Sequence, residues 1–115
     1  MLRGEIRMVI LDPVMSGEAA KTRPAVIVSN DALNATSMSL ARGVVTVVPI
    51  TSNVERVFPF QVYIARGESG LRVDSKAQAE QIRSVAVSRI GDRIWMLTSE
   101  TRERLDVALR LHLDL

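Results

Sequence analysis

Apolar residues along this chain come in short runs rich in Val, Ile and Thr, separated by Gly, Pro, Asn and Ser clusters, and that rhythm predicts a mainly β fold. Residues 2–11, 24–29 and 44–50 predict three strands, the third preceded by Gly43 and closed by Thr51, Ser52 and Asn53. Residues 59–65 and 71–85 predict two more, and 93–97 a short last one. Asn30 or Asp31 is placed to cap a short helix over 32–35. A final helix opens at Thr98 or Ser99 and runs to about His112, with Glu100 and Glu103 near its positive end. On it Leu105, Ala108, Leu109 and His112 share one stripe at i, i+3, i+4, i+7 spacing. The stretch from Asp12 to Thr22 is the longest irregular segment, a surface connection of the kind that carries function.

Length and composition fit one globular domain over residues 1–115: 47% hydrophobic and 24% charged residues lie near the averages for folded proteins. With no cysteine, disulfides, thiolate zinc sites and a Cys nucleophile are excluded. No apolar run approaches the roughly 20 residues that span a bilayer, and the start MLRGEIR has no apolar middle of a signal peptide. A cytoplasmic protein with no membrane partner is expected. The formal charge is only +2, but 13 of the 15 cations are arginine, the two lysines being Lys21 and Lys76. Guanidinium groups favour bidentate phosphate contact, so a polyanionic partner suits the chain.

The chemistry on offer is narrow. His112 has no partner of metal-ligating spacing, and the six glycines are scattered turn residues, not a phosphate loop. No cofactor is therefore expected, and any catalysis proceeds without a metal or a histidine pair. What remains is polar residues at strand ends. Arg23 precedes a proline that pins the backbone, so its charge leaves a fixed point at a strand's start. Thr51 and Ser52 stand where the third apolar run stops. Alternation from Lys76 puts Lys76, Gln78 and Glu80 on one face of a strand and Ala77, Ala79, Gln81 and Arg83 on the other.

The segments GEIRMVILDP (4–13), Arg23-Pro24 with AVIVSND, VVPITSN (47–53), PFQV (59–62), DSKAQAEQIRSV (74–85) and the terminal ALRLHLDL, taken in that order, closely resemble the MazF/PemK toxins of toxin-antitoxin modules. The resemblance implies a small SH3-like β-barrel that forms a homodimer, cleaves single-stranded RNA sequence-selectively without metal, and is silenced by an acidic, partly disordered antitoxin. It also implies that Arg23 and Thr51 are the catalytic pair. Glu18 matches the glutamate of the family's loop motif and is the candidate base for the 2′-hydroxyl. Glu80 and Gln81 match a pair at the RNA surface, and Lys21, Ser52, Asn53 and Lys76 complete the expected RNA contacts.

Two departures stand out. Arg7 occupies a position that is aromatic in most relatives, and the loop reads Ser16-Gly17-Glu18 with its first two residues exchanged. A gyrase-inhibiting toxin family shares the barrel without hydrolysing anything, so fold alone does not separate a nuclease from a binding inhibitor or a decayed, antitoxin-binding homologue. The Arg-Pro and Ile-Thr-Ser motifs are what a pure binder has no reason to keep.

Overall fold

The computed structural model describes residues 1–11 and 21–115. Among these lie seven strands, β1 (Glu5–Ile10), β2 (Thr22–Ile27), β3 (Val44–Thr51), β4 (Gln61–Ile64), β5 (Ser75–Gln78), β6 (Arg83–Ala86) and β7 (Ile90–Met96), and two helices, α1 (Asp31–Leu40) and α2 (Ser99–Leu113). All strand pairs are antiparallel, in the order β4-β5-β3-β2-β1-β7, with β6 also on β3. This is the mainly β architecture expected, with a helix after the second strand and another at the C-terminus. β4 and β7 stand at the two ends of the order and do not pair with each other, so among the described residues backbone hydrogen bonds do not close the sheet into a barrel.

The apolar runs in β2 and β3 are continuous because both faces of the sheet are covered. Val26, Val48 and Ile50 join Ile6, Leu105 and Leu109 beneath α2, whereas Ala25, Ile27, Val45 and Val47 join Val9 and Val85 on the opposite face. Each such side chain contributes about 1.5–3 kcal/mol by leaving water. Arg3 ties the N-terminal segment across the fold: its Nε donates to the Val28 carbonyl at 2.8 Å and its Nη2 meets Asp106 of α2 at 2.6 Å.

Several elements differ from expectation. The first strand begins at Glu5, after a turn in which Gly4 adopts φ +95° and gives its N–H to the Ile27 carbonyl. α1 runs to Leu40, well beyond 35, with Asn30 as its cap; the Asn30 side chain accepts from the Leu33 N–H at 2.8 Å. Residues 71–85 do not form one strand. β5 ends at Gln78, a 3₁₀ turn covers Ala79–Gln81, and β6 follows. The break lets the chain leave one half of β3 and rejoin the other, since β5 pairs with Ile50 and Thr51 while β6 pairs with residues 44–47. On α2 the buried stripe stops at Leu109, and His112 is exposed.

Candidate active-site cleft

In the ladder between β2 and β3, Ala25 faces Pro49, Val26 faces Val48 and Ile27 faces Val47. Carried two residues further, the same register sets Arg23 opposite Thr51. The ladder begins only after Pro24, which has no N–H to contribute to it. Arg23 and Thr51 both border a cleft of about 310 Å³ that Pro24, Ser52, Arg72 and Ser75 also line. β3 ends here because its own side chains turn the chain: the Asn53 N–H donates to Thr51 Oγ1 at 3.2 Å, and the Glu55 N–H to Asn53 Oδ1 at 3.3 Å.

The far wall of the cleft comes from the loop between β4 and β5, and it is pinned at three places. Glu68 accepts from the hydroxyls of Thr98, at 3.2 Å, and Thr101, at the N-terminal end of α2. Gly70, at φ +71°, packs so closely on β7 that a Cβ would come within 3.1 Å of the Trp95 Cβ. Asp74 accepts the Arg66 N–H at 3.0 Å. That backbone bond, with a further one from the Tyr63 hydroxyl, lowers the Asp74 pKa. The Tyr63 hydroxyl is correspondingly raised, chiefly by its bond to Asp74, with desolvation and the carboxylate charge adding to it. Arg72 therefore reaches the cleft from a fixed loop. Its only sequence signal was its place among turn residues, GESGLRVD, which marks a loop and not its direction.

The other anticipated residues divide. Ser52 lines the cleft, Asn53 braces Thr51, and Lys21 is exposed immediately before β2. Lys76, the cross-strand neighbour of Thr51, is buried, and its Nζ donates to the Arg56 carbonyl at 2.6 Å. Glu80 and Gln81 sit on the 3₁₀ turn, away from the cleft lining, where Glu80 takes both of its bonds from Gln61 Nε2 at 2.7 and 3.1 Å. Glu18 lies outside the described residues. Arg7 bridges β1 and β7: its Nε pairs with the buried Glu5 at 3.0 Å and its Nη1 donates to the Gly91 carbonyl at 2.9 Å. Among the described residues no three His, Asp or Glu side chains cluster in a way that could hold a metal ion.

Arg23, Thr51 and Arg72 thus border one cleft and bring two guanidinium groups and a hydroxyl to it. The chain also resembles known proteins. Residues 2–113 match the family described as PemK-like, MazF-like toxin of type II toxin-antitoxin system. The chain is 55% identical over 115 residues to Endoribonuclease MazF9 of Mycobacterium tuberculosis, covering 100% of this chain and 98% of that one. It is 31% identical over 114 residues to Endoribonuclease EndoA of Bacillus subtilis, covering 98% and 94%. In fold it is similar to the Mycobacterium tuberculosis toxin MazF-mt6, with a TM-score of 0.79 at 24% identity over 96% of this chain and 97% of that one. It is similar also to a mycobacterial endoribonuclease solved with its cognate antitoxin, with a TM-score of 0.77 at 24% identity over 100% and 96%.

Proposed function

Because this chain belongs to the PemK-like, MazF-like toxins of type II toxin-antitoxin systems, we propose that it is an endoribonuclease that cuts single-stranded RNA at the cleft between Arg23 and Thr51. The observation that carries the reading is that Arg23 and Thr51 border one cleft together with Arg72. RNA brings its own nucleophile. The 2′-oxygen loses its proton and forms a bond to the adjacent phosphorus, the bond to the 5′-oxygen breaks, that oxygen takes a proton from water, and the products end in a 2′,3′-cyclic phosphate and a 5′-hydroxyl. The protein needs only to position, to move protons and to stabilise charge. Arg23 is the electrostatic clamp on the non-bridging oxygens, where negative charge grows in the transition state. It is no base, since a guanidinium keeps its proton at any working pH. Thr51 donates a hydrogen bond to the phosphate or the leaving oxygen, and Glu18 is the proposed acceptor of the 2′-hydroxyl proton.

The partners follow from the same reading: a cognate antitoxin, as in the solved mycobacterial complex, and a second copy of the chain. Leu111 and Leu113 on α2, with Leu115 just beyond it, leave an exposed apolar end that a dimer would cover. Among the described residues no helix is long and apolar enough to cross a membrane; we place the protein in the cytoplasm, where its RNA substrate is. The test is cleavage of a mixed-sequence RNA in excess chelator, with the ends mapped. Wild type is expected to give 2′,3′-cyclic phosphates and to leave gyrase supercoiling untouched. Folded R23A should cut about 100- to 1,000-fold more slowly, and an undiminished rate would remove Arg23 from the mechanism.

A further inference from the structure

Trp95 is the chain's one tryptophan, and it stands 55% exposed on β7, the strand that ends the sheet beyond β1. An indole normally serves a fold by burial, so one left in water at a sheet's end invites a partner. The Arg93 guanidinium lies 6.0 Å from its ring centre, within cation–π range. Glu5 is 3.9 Å from Arg93 but is already paired with Arg7, and half of the Arg93 side chain faces solvent. The ring thus carries positive charge at its margin.

Gly70 joins this ring to the cleft. Its backbone lies against the root of the indole, and the next three residues, Leu71, Arg72 and Val73, line the cleft that Arg23 and Thr51 border. Resting on the reading of that cleft as an RNA-cleaving site, we propose that Trp95 is the platform on which an unpaired base of the substrate stacks, beside the phosphate held in the cleft. Every base offers a π-face that an exposed indole can meet, whatever its sequence. Arg93 at the ring and Arg72 at the cleft complement the phosphates on either side of that base. An apolar protein surface would have no use for a guanidinium beside the ring, whereas the phosphates flanking a stacked base match it.

Intrinsic fluorescence of the intact chain reports on this one ring. The probe is a mixed-sequence pool of 12-mers, 2′-O-methylated throughout, which binds but has no nucleophile. Saturable quenching in step with the anisotropy of labelled 12-mer is expected. W95A should raise the KM for cleavage roughly 5- to 100-fold with little change in kcat, and W95F should restore most of it. Where W95A does not fold, W95L takes its place, keeping the bulk without the π-face, and should still show the raised KM. Anisotropy that saturates while fluorescence stays constant overturns the proposal, as does an unchanged KM in folded W95A or W95L. Emission that follows protein concentration and ignores RNA overturns it too, since a second copy then covers the ring. A wild type that cuts no RNA yet is quenched saturably defeats the nuclease reading and leaves the platform as an RNA contact.

Discussion

Under the proposed function, Thr51 is a hydroxyl held ready for a phosphate. One of its lone pairs takes the Asn53 N–H at 3.2 Å, which orients the oxygen and leaves the hydroxyl proton to be donated. T51V keeps the shape and removes the donor, so the single-turnover cleavage rate should fall about 10- to 100-fold, as expected for a hydrogen bond to a charged group, while circular dichroism stays unchanged. Arg23, Thr51 and Ser52 were legible in the sequence because each sits where an apolar run meets turn residues, and strand ends bring such positions together. Arg72 was not, because nothing in GESGLRVD says which way the loop will be tied. Lys76 was expected to contact RNA, yet it is buried and its ammonium donates to the Arg56 backbone carbonyl. The period of a strand assigns a face but not whether that face is covered.

At the scale of elements, α1 was foreseen from its cap and not from its length. Thr36, Ser37 and Ser39 are weak helix formers, and tertiary bonds hold the helix: in its extension the buried Ser37 hydroxyl donates to the Val44 carbonyl at 3.2 Å. Asn34 is fully buried; its amide donates to the Ser29 carbonyl at 2.9 Å while the Ser29 hydroxyl donates back at 2.5 Å. Ser29 Oγ in turn accepts the Thr46 N–H of β3 at 3.1 Å. N34A breaks this closed network and leaves buried groups unpaired, so it should cost about 1–3 kcal/mol, read as a lowered urea midpoint with an unchanged slope. Propensity misjudged residues 71–85 for the related reason that the 3₁₀ turn at Ala79–Gln81 answers to β3, whose two halves pair with β5 and β6 and which lies far away in sequence. Strands β2 and β3 were close to their observed bounds because their apolar runs are covered on both faces and punctuated sharply.

At the scale of the whole molecule, the Tyr63–Asp74 bond links stability to pH from both ends. Asp74 has its folded pKa below the ordinary 3.8, so its contribution is complete above that value and is lost as pH falls through the folded one. Tyr63 has its folded pKa above the ordinary 10.0, so its contribution is complete below that value and is lost as pH rises through the folded one. Melting temperatures should therefore fall more steeply for wild type than for Y63F above about pH 10, and the two curves should run parallel between pH 6 and 9. The order of assembly has a consequence of another kind. β3 gives one edge to β2 and divides the other between β6 and β5, all joined across long stretches of chain. Such pairings reward the chain only after long loops have closed. A nascent chain thus carries Arg23 and Thr51 early but has no cleft until Arg72 and Ser75 have emerged and β5 has docked, so under the proposed function it gains no cutting site until synthesis is well past its midpoint.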